Sequence, residues 1–333
     1  MNYKRAYSSA SKRTFFVEKL RTRSLLKVSG DEVIPFLQGL ITNDMKHLTE
    51  GALSMYAHFL NSKGRILYDT IIYNTPNANT FFVECDSEAL TSLKKHLTVY
   101  KVRRKINIDN LEDFNVWAIF DKNIIDESIN KLEDIKYDVQ EVAGIVKPDV
   151  IICRDPRIPI LGLRAVAPKE TDIINELKQK NRTEKLEVQE NIYKIYRYKL
   201  GIPEGNAELP PGSSFPLEAN CDFMHGVSFH KGCYLGQEVT ARTHHTGVVR
   251  KRYMPVFFNE DVKLSEQDTP ILPSGSDKSI GKLRGVEKSV GIALLRIQEA
   301  LQAPELKIND KIIKTVRPFW WPTEAPKERP KLA

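Results

Sequence analysis

Short apolar runs separated by turn residues dominate the first third of the chain. Four apolar residues recur at the spacing of one helix face and predict a helix over 32–40: Val33, Phe36, Leu37 and Leu40. The turn at 61–64 joins two β-rich runs and predicts a hairpin. The remaining elements predicted in this part are strands at 25–28, 54–60, 65–73, 80–85 and 101–108 and a helix at 87–97. Their order indicates an α+β unit of the ferredoxin-like type.

The same alternation continues through the middle of the chain and changes after Arg252. The predicted middle elements are strands at 114–120, 150–153 and 160–166 and helices at 126–133, 169–178 and 187–199. A Pro- and Gly-rich segment at 201–216 predicts a long ordered loop. Beyond Arg252, short apolar runs alternate with turn residues, which indicates a small β-barrel. The predicted fold class is therefore α+β with a C-terminal barrel.

The composition is typical of a globular protein. Of the 333 residues, 41% are hydrophobic and 28% are charged, a balance that argues against a disordered chain. No apolar run is long enough for a transmembrane helix, so no membrane association is expected. The formal net charge of +7 permits an acidic partner without requiring one. Because basic and acidic residues are interspersed and no aromatic RNA-binding motif occurs, nucleic acid is not an expected partner.

The N-terminal segment has a composition of its own. Residues 1–14 contain four Lys or Arg residues, several serines and no acid. Such a start is typical of a mitochondrial transit peptide and lacks the apolar centre of a secretory signal. We therefore predict a transit peptide over 1–23, folded structure from Ser24 onwards and a location in the mitochondrial matrix. A disordered basic tail is the alternative.

The densest chemistry lies within 225–252. Gly232 and Gly236 flank Cys233 closely, and because glycine allows positive φ and close backbone approach they predict a shaped loop. Lys231 lies two residues before the thiol, and cationic neighbours favour the thiolate form. The alternative is a small buried cysteine with a purely structural role.

The four cysteines form no CxxC pair and no zinc spacing. The nearby histidines also lack the HxxxH spacing, so a zinc site is only weakly indicated. An iron–sulfur cluster commonly takes four protein ligands. If Cys233 binds a cluster, a second protein must supply the other ligands, which predicts a role in assembling or transferring clusters.

Several polar residues outside the loop are further candidates. Asp69 lies inside a predicted strand, where carboxylates are depleted, so it either faces water or serves a site. Asn43 either forms a turn or contacts a ligand. The basic run at 103–105 is either a solvated edge or a site for an anionic ligand tail. No P-loop, GxGxxG or GxSxG motif occurs, which argues against nucleotide hydrolysis, dinucleotide chemistry and serine hydrolysis.

Three segments resemble one known family: Phe36–Asp44, Lys63–Asp69 and Lys231–Glu238. The last resembles the K-G-C-Y-x-G-Q-E motif of the YgfZ-type folate-binding proteins. Residues 240–252 are similar to the mitochondrial branch of that family, the iron–sulfur cluster assembly factors with an aminomethyltransferase-like fold. The octapeptide is highly specific, whereas the two N-terminal motifs are shared with the glycine-cleavage aminomethyltransferase. The resemblance extends from about Leu25 to Trp321.

The resemblance implies a fold and a folate site. Two ferredoxin-like subdomains, 24–112 and 113–249, would form a folate-type pocket, followed by a barrel at 250–321 and a flexible tail at 322–333. Tetrahydrofolate is the implied ligand. Its candidate contacts are Asn43, Asp69, Arg103, Gln237 and Glu238.

The resemblance also implies partners. It indicates work with A-type scaffold proteins in the maturation of mitochondrial 4Fe–4S enzymes such as aconitase and lipoate synthase. Cys233 would be the metal ligand in a transient iron–sulfur cluster shared with the scaffold. Lys231, Gly232 and Gly236 would shape its loop.

Two functions from different classes follow. The first is an assembly factor without turnover of its own, in which Cys233 is a shared ligand. The second is a folate-dependent aminomethyl transferase, in which Asp69 is the acid/base group and Cys233 is structural. Aminomethyltransferases tend to carry two consecutive acids where this chain has Tyr68 and Asp69. The missing acid favours the assembly factor.

Overall fold

A computed structural model describes residues 14–126, 145–147, 149–180, 185–263 and 268–322. The helix predicted at 126–133 and the tail predicted at 322–333 lie, apart from their first residues, outside the described part of the chain. No helix in the described part has the length and apolar content needed to cross a bilayer.

The described elements follow in chain order. The strands are β1 (Thr14–Lys19), β2 (Arg23–Ser29), β3 (Ser54–Leu60), β4 (Ile66–Asn74), β5 (Thr80–Asp86), β6 (Asn107–Asn110), β7 (Phe114–Asp121), β8 (Ile145–Lys147), β9 (Val150–Arg154), β10 (Leu163–Pro168), β11 (Lys185–Gln189), β12 (Lys251–Phe258), β13 (Pro270–Pro273), β14 (Gly281–Glu287), β15 (Val290–Arg296), β16 (Leu306–Ile308) and β17 (Lys311–Thr315). The helices are α1 (Val33–Gln38), α2 (Lys46–Thr49), α3 (Leu90–Lys101), α4 (Lys122–Asp126), α5 (Ile173–Lys180), α6 (Tyr193–Leu200), α7 (Gln237–Thr246) and α8 (Ile297–Gln302).

The first sheet has the strand order β3-β4-β5-β2-β6 and all its pairings are antiparallel. Alternation along β2 places Leu26 on the face covered by α1 and α3 and Leu25 on the opposite face. The strand predicted at 101–108 is wrong over its first part, because α3 continues to Lys101 and β6 begins at Asn107.

The second sheet has the order β11-β1-β7-β10-β9-β8 and packs its inner face against the first sheet. Its strand β1 pairs in parallel with β11 and antiparallel with β7. The predicted start of folded structure at Ser24 is therefore wrong, since Thr14–Lys19 is a strand, and the middle subdomain is not confined to 113–249. Phe15 and Val17 pack towards α5 while Phe16 packs between the sheets. Because β1 is apolar on both faces, it lacks the polar alternation that predicts a strand.

The helix predicted at 187–199 is also wrong in its first half. Residues up to Gln189 belong to β11, and the chain turns at Asn191, whose φ is 61°. The Glu18 carboxylate accepts hydrogen bonds from the backbone N–H groups of Asn191, Ile192 and Tyr193 at 2.8–3.1 Å. These contacts satisfy N–H groups at the start of α6 that have no partner inside the helix. The helix start is thus determined by a carboxylate distant in sequence.

The third unit is a closed barrel of β12-β15-β14-β13-β16-β17. It confirms the small C-terminal barrel predicted from the short apolar runs. Tyr198 of α6 and Tyr253 and Phe257 of β12 share a hydrophobic cluster with Leu60 and Ile66 of the first sheet. The barrel is therefore held against the rest of the protein by apolar packing around α6.

A buried ion network lies between the two sheets. Arg23 donates through Nε to Glu84 at 2.7 Å and through Nη1 to Asp69 at 3.1 Å. Arg164, from the opposite sheet, donates through Nη2 to Glu84 at 2.6 Å and to Glu204 at 2.9 Å. Burial raises the pKa of Glu84, but the guanidinium groups of Arg164 and Arg23 outweigh it and hold that pKa below its usual range. The network therefore joins both sheets and the segment after α6 through buried charged groups.

Removal of one charge from this network leaves the others buried and uncompensated. We expect Glu84→Gln to lower the free energy of unfolding by about 3–5 kcal/mol, measured by urea denaturation at neutral pH. The control is Glu190→Gln, which removes an exposed ion pair with Arg21 at 2.7 Å. This control is expected to change the free energy of unfolding by less than about 1 kcal/mol. Equal effects of the two substitutions would contradict the structural role of the network.

The position of β1 limits any N-terminal processing. Because β1 is hydrogen-bonded on both sides, we expect the mature N-terminus to lie before Thr14, as measured by intact mass and N-terminal peptide analysis. A chain starting at residue 14 should unfold cooperatively, whereas a chain starting at residue 20 should not. A functional mature protein that begins after Lys19 would show this expectation to be wrong.

Candidate functional site

The cysteine loop, residues 225–236, rests on the segment that follows α1. Leu235 donates its backbone N–H to the carbonyl of Gly39 at 3.0 Å, and Ser228 donates to the carbonyl of Thr42 at 3.0 Å. The Thr42 hydroxyl in turn donates to the carbonyl of Gly226 at 2.6 Å. Two motifs that lie far apart in the sequence therefore form one structure.

Lys231 anchors the loop to the end of α1. Its ammonium group donates to the backbone carbonyls of Gln38, Ile41 and Asn43 at 2.7, 2.8 and 2.7 Å. An ammonium has three protons, so all of its donors are directed at carbonyls. Its Nζ also lies 4.9 Å from the centre of the Tyr234 ring. Burial lowers the pKa of Lys231 to about 8. Its role is thus to hold the loop in place rather than to donate to the thiol.

Glycines allow the loop to touch the hairpin turn at 61–64. Gly236 has φ 79°, and a Cβ there would lie 2.3 Å from the carbonyl oxygen of Asn61 and 3.2 Å from Cα of Gly64. A side chain at Gly236 is therefore excluded both by conformation and by space. Gly232 differs, since its φ is not positive and a Cβ there would meet nothing within 4 Å. Close packing thus explains Gly236 but not Gly232.

Cys233 is exposed, and the residue after it is buried. Tyr234 packs into the cluster that joins the first sheet to the barrel, while the Cys233 thiol is free and faces solvent. The alternative of a buried structural cysteine is therefore wrong for Cys233. Among the described residues, no group of three or more His, Cys, Asp or Glu side chains is arranged to hold a metal ion. Within that part of the chain, Cys233 has no set of co-ligands.

Gln237 and Glu238 open helix α7 and differ in their contacts. The Gln237 side-chain carbonyl accepts the backbone N–H of Tyr234 at 3.1 Å and so closes the loop. The Glu238 side chain is 87% exposed and lies 4.0 Å from Arg242. Gln237 stabilises the loop conformation, whereas Glu238 is available to a partner.

Asn43 connects the cysteine loop to strand β3. Its amide donates to the carbonyls of Tyr56 and His225, both at 2.8 Å, and its side-chain oxygen accepts the N–H of Asp44 at 2.9 Å. These contacts use both donors of the buried amide group. The sequence predicts a turn or a ligand contact, and nothing in it indicates a bond to His225.

Asp69 belongs to the ion network and does not face water. One carboxylate oxygen accepts from Arg23 at 3.1 Å and the other accepts the N–H of Gly205 at 3.0 Å. Tyr68 lies on the opposite face of the sheet, where its ring centre is 5.8 Å from that of His96. Tyr68 stands where aminomethyltransferases tend to carry a second acid. In this structure that position serves packing on the helix-covered face of the sheet.

A cavity of about 390 Å³ lies where the two sheets and the barrel meet. Glu18, Arg21 and Arg197 are among its lining residues, and Glu287 contributes from the barrel. None of the five residues predicted to contact folate lines this cavity, and Arg103 lies exposed beyond the end of α3. This cavity is therefore not formed by the five residues predicted to contact folate, and the folate site stays a prediction.

Comparison with known proteins decides the family. Residues 250–323 match the family model "CAF17, C-terminal beta-barrel domain". The chain is 37% identical over 324 residues to "Iron-sulfur cluster assembly factor IBA57, mitochondrial" of Mus musculus, with coverage of 92% of this chain and 86% of that protein. The Homo sapiens protein of the same name is 38% identical over 320 residues, with coverage of 92% and 85%.

The chain belongs to the IBA57 family. The family resemblance predicted from the motifs is thereby confirmed. The names of these IBA57 relatives also confirm the mitochondrial location predicted from the N-terminal composition.

A solved structure supports the fold assignment. The glycine cleavage system aminomethyltransferase T from Bartonella henselae has a TM-score of 0.67 to this chain, with coverage of 92% of this chain and 87% of that one. The identity is 14%, so the likeness concerns the fold alone. It confirms the aminomethyltransferase-like α+β fold that the motif resemblance implies.

Substitution of Lys231 tests the anchoring of the loop. Lys231→Met leaves three carbonyl groups without a donor, so we expect a loss of about 1–3 kcal/mol in the free energy of unfolding. We also expect faster hydrogen exchange at Leu235, measured by mass spectrometry. Lys231→Arg should not restore protection, because a planar guanidinium does not direct three donors as a compact ammonium does.

The matched control is Lys63→Met, which removes an exposed lysine on the neighbouring turn. This variant should keep the exchange rate and stability of the wild type. Unchanged exchange at Leu235 in Lys231→Met would show that the three hydrogen bonds do not hold the loop.

Proposed function

We propose that the chain assembles iron–sulfur clusters in the mitochondrial matrix by binding one cluster jointly with an A-type scaffold protein. Cys233 is its single ligand to that cluster. The observation that carries the proposal is the exposed thiol of Cys233 on a loop fixed from both sides. The names of the IBA57 relatives, iron–sulfur cluster assembly factors, point in the same direction.

The other cysteines are unsuited to ligation. Cys85, Cys153 and Cys221 are buried. Burial raises the pKa of Cys85 and Cys153 to about 12 and that of Cys221 well above its usual value. Metals bind the thiolate, which these groups do not form at neutral pH. The chain therefore contributes one ligand, and a cluster that takes four protein ligands needs others from a partner.

The fixed loop suits a ligand that must be shared. Lys231 ties the backbone before the thiol to α1, and Leu235 and Gly236 tie the backbone after it to 39–64. A loop that is already ordered loses less conformational freedom when a partner binds. Cys233 can therefore complete the coordination of a cluster presented by the scaffold, and we propose that this shared cluster serves the maturation of 4Fe–4S proteins.

The alternative function, aminomethyl transfer with Asp69 as acid/base group, is less well supported. Both carboxylate oxygens of Asp69 already accept hydrogen bonds, one of them from a guanidinium. A general base must reach the proton that it abstracts. Cluster binding by Cys233 requires no folate, and we propose no role for folate in it.

A mixing experiment tests the proposal. The purified chain is combined with a cluster-loaded A-type scaffold, and visible absorption and native mass are recorded. We expect a coloured complex that contains both proteins and one cluster. Cys233→Ala should lose that complex, because the cluster then lacks the ligand that this chain supplies.

The control is Cys153→Ala, which removes a buried thiol and should leave the coloured complex unchanged. If Cys233→Ala gives the same spectrum and mass as the wild type, Cys233 is not a cluster ligand and the proposal fails.

A further inference from the structure

A long basic segment surrounds the C-terminal end of α3. From Ala89 to Ile108 the chain contains six Lys or Arg residues and no acid. Four of the six lie within 101–105. Arg103 and Lys105 are exposed and form no ion pair with an acid in the described part of the chain, whereas Arg104 lies 3.8 Å from Glu32. This concentration of positive charge is not used by the cysteine loop.

Apolar side chains protrude from the same place. Val99 is 62% and Val102 77% exposed, and Tyr100 beside them is 40% exposed. Val102 has φ 49° and ψ −108°, a conformation that β-branched residues rarely adopt. A strained backbone that holds an apolar side chain in water is unfavourable by itself, and such outliers cluster at functional sites. We call residues 99–105 the basic tip.

The basic tip and the cysteine loop are connected by α1. Arg104 lies 5.9 Å from the ring centre of Phe36 and 3.8 Å from Glu32, just before α1. Lys231 and Leu235 bind the other end of α1, at Gln38 and Gly39. Six residues of helix span about 9 Å. A protein interface of ordinary size, about 800 Å² on each partner, is wide enough to cover both.

We propose that the basic tip is a docking surface for an acidic face of the A-type scaffold that shares the cluster with Cys233. This inference rests on the proposed function and names a second contact with the same partner. Opposite charges would bring the two proteins together, and Val99 and Val102 would be covered in the complex. Docking at the tip would then present the scaffold's cluster to the fixed thiol.

The surroundings of the tip favour a protein over an anionic bilayer. Asp31 and Glu32 are exposed beside it. A uniformly negative membrane surface would repel these carboxylates, whereas a protein surface can place charges of both signs opposite them. The mixed pattern also defines an orientation, which a shared cluster requires.

Binding to the cluster-free scaffold separates docking from ligation. Association and dissociation rates of the full chain are measured with the scaffold immobilised, at low and moderate salt. Arg103→Glu with Lys105→Glu should weaken binding about tenfold, mainly through slower association, and should reduce its salt dependence. Val99→Ser with Val102→Ser should speed dissociation several-fold. Cys233→Ala should bind the cluster-free scaffold as the wild type does.

Matched controls on the barrel use the same substitutions elsewhere. Lys278→Glu with Lys314→Glu reverses two exposed cations, and Ile312→Ser removes an apolar side chain that is 41% exposed. All of these controls should bind normally. Circular dichroism and thermal unfolding verify that each tip variant is folded.

The outcomes distinguish the two proposals. If the tip variants bind as the wild type while Cys233→Ala loses the coloured complex, the tip proposal is wrong and the cluster proposal stands. If the wild type does not bind the cluster-free scaffold, docking at the tip is rejected. The last measurement is flotation with vesicles of phosphatidylcholine and phosphatidylserine. If the wild-type chain binds these vesicles and Val99→Ser with Val102→Ser does not, the basic tip docks on a membrane and the scaffold proposal is wrong.

Discussion

The buried ion network between the sheets is the constraint on which the rest of the structure depends. Arg164 and Arg23 approach Glu84 from opposite sheets, so packing of the two inner faces in the observed register pairs these charges. A buried charge without its partner is strongly destabilising. The network also includes Asp69, through which it reaches the segment after α6 at Gly205. Charge pairing therefore determines how the two sheets and the connection to the barrel meet.

The cysteine loop depends on this frame through the hairpin of β3 and β4. Asp69 is held in the network from β4, and the turn that precedes that strand carries Gly64, against which Gly236 packs. The other support is the end of α1, where Lys231 binds three carbonyls. A single exposed thiol on so firmly placed a backbone suits a ligand that completes a partner's coordination. The same frame buries the carboxylate that a transferase would need.

Much of the fold can be predicted from the sequence, and the failures have specific causes. Helix α1, the 61–64 hairpin and the barrel are predicted correctly because their periodicity and turn residues act locally. Strand β1 escapes prediction because its apolar residues face both ways and its neighbours are basic. The start of α6 cannot be read from its own residues because it is determined by Glu18, which lies 175 positions before Tyr193. The glycine-rich frame of Cys233, in contrast, correctly predicts that the thiol is not buried in regular structure.

The sequence by itself determined the class of the protein: its α+β units and barrel, its IBA57-type motifs and a glycine-flanked cysteine without CxxC partners. These properties follow from residue type and short spacing, which act locally. Only the tertiary structure decided what Lys231, Asn43 and Asp69 do. Each is a polar group that must find partners when buried, and those partners are brought near by folding rather than by neighbouring positions in the chain. A carboxylate that resembles a ligand contact in the sequence is therefore part of a structural network, and a lysine next to a thiol binds backbone carbonyls instead.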